Sequence, residues 1–457
     1  MDAAILCDTL QAILPDRMIE AAAMEHGVIA RQRKLEIVKL VRALVLNAGS
    51  DDSGTLADAF RRYRGEATET VVRGAFYDWL DEEMAVLMEC LLEHAMQYAN
   101  SLPVHLPGIL GTVDDWRIFD SETVTLRNAL AEDYPGSGSL AAVKVHKELS
   151  VGRGCMTYCH FGPAREHDAP HLEVDERYRD QGLLVDLGYA SLKFIGSCKL
   201  HGAKYIIRLK NNWKAQVERI DRGEVQAALV PGTDLDMLIE DEVIVLGGRC
   251  VDAAVTLGQG KKAVSARLVM IPGPDGYLSY LTNLARGTHG PHQVGELYRV
   301  RWEIESDNKL DKSGGRLDQI RATTESSVRI LLCAALLHSM VVDVLIHRDN
   351  LDRAECQEVR RAPLHRLALA YALRLRHREL LVALSCPGRA HKHWSRLADL
   401  LSAEGRDPNW RHRPSVLDRL LGLTAPRGRP RKKKRRDCPR SAAPYRTTKP
   451  RRAIAMS

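Results

Sequence analysis

The 457-residue chain is 45% hydrophobic and 27% charged, which fits a globular chain of two or three domains and excludes collagen, coiled coil and wholesale disorder. Its 66 Lys/Arg and 59 Asp/Glu sum to +7, but residues 426–457 hold thirteen Lys/Arg against one acid, leaving 53 basic and 58 acidic residues elsewhere, a net of −5. The positive charge belongs to a tail. No cationic start precedes an apolar stretch at Met1–Cys7, and the longest apolar run, Ile330–Ile346, is interrupted by His338 and Asp343. A secretory signal and a membrane span are therefore not expected. Ten scattered cysteines form no dense framework, so reduced thiols and an intracellular protein are expected.

From Leu10 to about Asn100 apolar residues recur three and four apart, as in Ile37, Leu40, Val41 and Leu44, and predict helices joined at 47–54 by an Asp/Ser/Gly loop. Residues 1–105 read as a helical N-terminal domain. Its basic clusters, Arg31–Lys34 and Arg61–Arg64, suit either phosphate contact or, more simply, a solvated helix face. After Pro107, runs rich in Val, Ile, Thr and Tyr predict strands at 115–119, 141–149 and 153–161, then a helix at 166–179. A compact strand at 182–185, a helix at 191–200 and a buried strand at 205–209 follow. This alternation implies an α/β layer with a mixed sheet, and Asp120 and Asp186 fall where strands end.

Residues 214–275 read as a β-rich insertion with strand-like runs at 242–246, 250–257 and 263–271. A strand at 277–282 resumes the layer, Pro291 opens a helix that Gly314 and Gly315 can stop, and an apolar helix at 325–347 covers the sheet. Residues 106–345 would form one α/β domain, 346–425 a helical, Arg-rich region, and 426–457 a disordered basic tail. No repeat of 20 to 50 residues is visible.

Tyr298, Arg301, Glu305 and Lys312 on the helix from Pro291 fall within an arc of roughly 60°, with Leu297, Val300 and Ile304 on the other side. One face thus presents phenol, guanidinium, carboxylate and ammonium together, an arrangement suited to a polyanion. Spacing alone leaves open a plain solvated face in which Arg301 pairs with Glu305 at i, i+4.

The string Tyr298-Arg-Val-Arg301-Trp-Glu-Ile-Glu305 with Lys312 resembles the Tyr-x2-Arg-x3-Glu-x6-Lys signature of bacterial DDE transposases of the insertion-sequence-four family. Leu184-Val-Asp186-Leu-Gly188-Tyr189 is similar to the segment bearing that family's second Asp, and Tyr205-Ile-Ile-Arg208-Leu-Lys210 to its next strand. Ile118-Phe119-Asp120-Ser121 fits the first Asp, with Glu122 where Thr is usual and Asp114 and Asp115 as competitors; Lys144-Val-His146 also has the family's look. The resemblance spans about residues 100–345.

It implies an RNase H-like catalytic domain in which Asp120, Asp186 and Glu305 hold two Mg2+ ions, with Mn2+ able to substitute. Oxygen ligands suit such hard cations. Tyr298, Arg301 and Lys312 would hold phosphates beside the metals, Arg as a bidentate fork and Lys as a mobile charge. The implied function is a DNA transposase that binds terminal inverted repeats, cleaves DNA with Mg2+ and transfers strands. The helical domain would bind the repeats, and a homodimer would bridge two ends of double-stranded DNA in the bacterial cytoplasm, at the nucleoid. Two rival readings are a catalytically silent, domesticated DNA-binding protein and a structure-specific nuclease on the same fold.

Among other motifs, Trp302 suits base stacking but more simply packing. Cys155-x3-Cys159 with His160, His167 and His171 invites a zinc site, yet the spacing is loose and both cysteines read as buried on one side of a strand. Gly258-Gln-Gly260-Lys-Lys reads as a hairpin turn. Pro426-Arg-Gly-Arg-Pro430 resembles an AT-hook core that could place Arg427 and Arg429 in an A·T minor groove, although a sequence-independent phosphate-binding tail is the simpler reading.

Overall fold

A computed structural model describes residues 1–29, 35–48, 56–210, 213, 215–222, 250–273, 276–313, 317, 320–356, 362–385, 390–407, 410 and 414–422. Arg31–Lys34, most of the 47–54 loop, the run at 242–246, Gly314, Gly315 and the whole tail, with Arg427 and Arg429, lie outside them.

The chain begins with six helices: α1 (Ala3–Ile13), α2 (Asp16–Glu25), α3 (Ile37–Asn47), α4 (Leu56–Glu66), α5 (Arg73–Asp78) and α6 (Glu82–Ser101). α6 starts sharply because the Asp81 carboxylate accepts from the Met84 amide at 3.0 Å, with Glu82 and Glu83 opposing the helix dipole in the first turn. In α4, Arg61 pairs with Asp58 at 2.5 Å.

Next come β1 (Trp116–Thr125), β2 (Ala142–Ser150) and β3 (Cys155–Pro163), an antiparallel meander, then β4 (Gly182–Val185), α7 (Leu192–His201) and β5 (Lys204–Arg208). β4 lies parallel to β1 and β5 parallel to β4. β6 (Ala215–Arg222), β7 (Val251–Leu257), β8 (Val264–Gly273) and β9 (Gly276–Thr282) complete one nine-stranded sheet in the order β3-β2-β1-β4-β5-β9-β8-β7-β6. The β-rich insertion is thus continuous with the main sheet, joined through β9, which pairs antiparallel to both β5 and β8. Gly182 faces Trp116 across the β1–β4 register, and a Cβ there would stand 2.4 Å from the indole ring. Only glycine leaves room for that ring in the first layer of the core.

α8 (Pro291–Arg299) and α9 (Trp302–Ser313) replace the single helix expected from Pro291. At the break, the amides of Val300, Arg301 and Glu303 donate to carbonyls three residues back, those of Leu297, Tyr298 and Val300. This tighter turn changes the angular phase between Tyr298 and Glu305, so the four signature residues do not share one straight helix face. The helix expected at 166–179 is instead a loop with single 3-10 turns at Ala169–His171 and Glu176–Tyr178. Pro170 lacks an amide hydrogen and disfavours helical backbone in the residue before it.

The long helix α10 (Glu325–Glu355) is capped by Thr324, whose hydroxyl accepts from the Ser327 amide at 3.3 Å. It is long and apolar enough to cross a membrane by composition, but 89% of its most apolar window is buried inside the fold. α11 (Arg366–Leu375), α12 (His377–Ser385), α13 (Ala390–Glu404) and α14 (Val416–Leu420) follow. The segments 1–105 and 346–425 are not separate in packing: Leu10, Leu44 and Leu91 share one core with Leu336, Leu369 and Leu401, centred on α10. Two further cores line the sheet. One, with Phe119, Val185 and Phe194, lies under α7; the other, with Ile118, Leu184, Leu297 and Ile304, lies under α8 and α9.

Candidate functional site

Asp120 and Asp186 come from neighbouring parallel strands. The last paired residues of that ladder are Phe119 and Val185, so the two aspartates stand side by side one step further along. Alternation puts them on the same face as Ile118 and Leu184, the face that α8 and α9 cover. Asp186 directly follows β4, whereas β1 runs on past Asp120 to Thr125, paired with β2.

The helix that carries Glu305 reaches this strand through Asn308. Asn308, one turn beyond Glu305 on α9, donates from Nδ2 to Asp120 Oδ2 at 3.0 Å, and the Ser121 amide donates to Asp120 Oδ1 at 2.9 Å. Arg301 donates to Glu305 Oε1 at 2.9 Å, so the i, i+4 pair exists. It does more than decorate a surface, because the Arg301 guanidinium also lies within the fields of Asp186 and Asp120. Burial raises the Asp120 pKa and Asp186 raises it further, while the Ser121 amide, Arg301 and Lys147 oppose the shift. The guanidinium thus pairs with Glu305 while lying within the fields of the two aspartates.

Tyr298 is where sequence reasoning misplaced a side chain. It is only 4% exposed, packs against Tyr280 with ring centroids 5.0 Å apart and planes tilted by 51°, and points its hydroxyl toward the Val185 carbonyl 3.5 Å away. Burial pushes its phenol up to about 12. Its place is under the site, as a support for the strand end that carries Asp186, and not at a surface where it could grip phosphate. Trp302 is the opposite case: expected to pack, it is 62% exposed at the start of α9. Lys312 is 44% exposed, with its ammonium 3.8 Å from Glu122 Oε2.

Sequence reasoning missed the charge cluster beneath the site. Lys147, paired with Asp120 in the β1–β2 register, is buried and contacts Glu122 at 3.0 Å, Asp307 at 3.1 Å and Asp311. Asp311 in turn accepts from the Ser339 hydroxyl of α10. Burial among so few counter-charges raises Glu122 to about 7, against the pull of Lys147. Glu122, the departure from the family's usual Thr, is therefore half of an internal ion pair. The signals for this cluster were a lysine on a strand at i+1 from His146 and two aspartates at Glu305 + 2 and + 6, which a search for surface charge passes over.

The competing acids have other work. Asp115 is 1% exposed and accepts from the Trp116 and Gly152 amides, both at 2.8 Å, and from Arg153 at 2.9 Å; Asp114 is exposed at the far end of β1.

Two carboxylates just beyond the last rung of a parallel strand pair, faced by a charged helix, offer the oxygen donors that hard cations select, with a guanidinium close enough to offset their charge. The family model for the transposase DDE domain matches residues 112–341, about half of the chain, and the chain belongs to that family. It is 21% identical over 242 residues to the transposase for insertion sequence element IS1151 of Clostridium perfringens, a match covering 45% of this chain and 51% of that protein. It is 22% identical over 355 residues to the transposase for IS231B of Bacillus thuringiensis subsp. berliner, covering 67% and 71%. The match thus spans about half the length of the first relative. A cryo-EM structure of a piggyBac transposase synaptic complex with hairpin DNA matches with a TM-score of 0.44 and 10% identity, over 88% of this chain and 86% of that one.

Proposed function

We propose that the chain is a DNA transposase that binds the terminal inverted repeats of its own element, cleaves DNA there and joins the freed 3′ ends to a target. The observation that carries this reading is the placement of Asp120 and Asp186 at one level of two parallel strands, with Arg301 and Glu305 set against them. The antiparallel β1–β2–β3 meander followed by parallel β4 and β5 supports an RNase H-like core. On this reading 1–105 contacts the repeats, a homodimer pairs two ends, and the protein works on cytoplasmic, nucleoid DNA.

Asp120, Asp186 and Glu305 would hold Mg2+, which when bound supplies Lewis-acid activation of the attacking oxygen and stabilises the leaving one. Asn308 fixes the rotamer of Asp120, so that carboxylate is oriented before DNA arrives. With Glu305 serving as a metal ligand, Arg301 would be free to give two parallel N–H bonds to a phosphate beside the scissile bond. Lys312, part-exposed, adds a mobile charge to the same strand. Tyr298 acts indirectly, by bracing Asp186.

The test uses uncut and pre-cut ends carrying the repeats, in parallel, with supercoiled target DNA and Mg2+. Joined product supports the transposase reading. Cutting of uncut ends without joining would identify a nuclease, and end binding with neither reaction a silent DNA-binding protein.

A further inference from the structure

On the opposite face of the sheet from Asp120 lies a group of imidazoles that the transposition chemistry does not use. Alternation along β2 and β3 turns His146 and His160, which are cross-strand partners, away from Lys147 and Cys159. This separates the histidines from the cysteines, so the Cys155/Cys159 set weighed for zinc is not assembled. In its place, the loop after β3 folds back and brings Glu166 and His171 to His160. One ligand atom from each of His160, Glu166 and His171 lies within 4.8 Å of the others. The His171 ring stacks on His146 at 3.8 Å and on His160 at 5.0 Å, and His171 Nε2 stands 3.1 Å from Glu166 Oε2.

Several features make this a prepared group. Gly162 leaves the room in which the Glu166 carboxylate sits, since a Cβ there would approach Glu166 Oε2 to 2.7 Å and His160 Nε2 to 3.7 Å. Lys144 ties down the loop through the Glu166 carbonyl at 2.5 Å and the Asp168 carboxylate at 3.1 Å. His146 is 2% exposed; its Nδ1 is engaged at 3.0 Å by the Tyr189 hydroxyl while its Nε2 has no partner among the described residues. His160 and Glu166 are exposed, which gives an ion a path from solvent.

We propose that His160, Glu166 and His171 form a binding site for a divalent transition-metal ion, Zn2+ above all, separate from the carboxylate site on the other face. Two imidazoles and one carboxylate are the ligand set of three-ligand zinc sites, with water as the fourth ligand, and borderline nitrogen donors select against Mg2+. The ion fastens the 164–172 loop to β3. That loop carries Asp168, which accepts from the Ser121 hydroxyl at 2.9 Å, and Ser121 in turn holds Asp120 through its amide. The metal is thereby a clasp behind the strand that bears the first catalytic acid, not a participant in phosphodiester chemistry.

The experiment is Zn2+ equilibrium dialysis of the full chain in excess Mg2+, comparing wild type with His160→Gln, His171→Gln and Glu166→Gln. Co2+ absorption spectra and hydrogen exchange at 164–172 accompany it. The site predicts one Zn2+ more per chain in wild type than in either histidine variant and about tenfold or greater loss of affinity in Glu166→Gln. It also predicts a visible Co2+ band lost with His171 and Zn2+-dependent protection of the loop in wild type alone. Circular dichroism of metal-free proteins should show all four equally folded. Equal Zn2+ stoichiometry and affinity in all four, or competition by Mg2+ at equal concentration, would overturn the proposal.

Discussion

Arg301 pairs with Glu305 within the fields of Asp186 and Asp120, while its own buried Nε finds no acceptor among the described residues. A donor left open in that position is suited to an incoming phosphate oxygen, so Arg301→Ala should weaken the cleavage-competent DNA complex by about tenfold or more. Unchanged single-turnover cleavage at limiting DNA would remove the phosphate role. Glu305→Gln keeps shape and removes charge, and should lower cleavage by at least about a thousandfold, several kcal/mol of transition-state stabilisation, with end binding retained in a mobility-shift assay. A third test concerns His338, inside the core on α10, whose pKa burial lowers to about 4. A histidine held neutral in the folded state binds fewer protons than in the unfolded chain, so its stabilising contribution is whole above the unfolded value near 6.5 and drains away as pH falls toward 4. Up to about 3 kcal/mol is at stake. Denaturant unfolding of His338→Leu between those pH values should show a shallower loss than wild type; parallel curves would contradict the buried neutral state. At this scale the sequence reveals residue types better than exposure: Tyr298 and Trp302 are four positions apart, yet one is under the sheet and the other in solvent, because the break between α8 and α9 shifts the helix phase.

β1 carries two kinds of information along its length. Trp116 and Ile118 pack under α8, while Asp120 and Glu122 on the same face meet Lys147 and α9. Lys147 is what lets three buried acids share that place, and Lys147→Met should cost about 3–5 kcal/mol by leaving them uncompensated. Thermal unfolding of this variant near wild type would show that the cluster is not held by its lysine. Gly182→Ala should cost about 1–3 kcal/mol by driving a methyl into the Trp116 ring. Strand positions were legible because alternation and β-branched runs are local: 141–149 was expected and Ala142–Ser150 found, and 182–185 was exact. The 166–179 segment failed since its acidic and apolar residues mimic helix periodicity while Pro170 forbids it. Buried ion pairs failed for a different reason, being non-local: Lys147 and Asp311 meet only after α9 folds over the sheet.

Across the molecule, helices from both ends of the chain close over α10, so the N-terminal segment and the region after 345 support one another. The sequence texture divided the chain at 105 and 345 because helix and strand patterns change there; apolar faces, whose partners no local pattern names, join what texture separates. Deletion of 425–457 removes all thirteen cations of the tail. Affinity for unrelated duplex DNA should fall and the slope of log affinity against log salt should flatten, with thermal stability unchanged. An unaltered salt slope would show that the tail does not touch phosphate. The central claim is tested most directly by incubating wild type, Asp186→Asn and Glu305→Gln with Mg2+ and DNA carrying the sequences that flank the gene. Cuts at the repeat ends that appear with wild type and vanish in both variants are predicted. Cleavage that persists in either variant, or that falls at no defined end, would contradict the account.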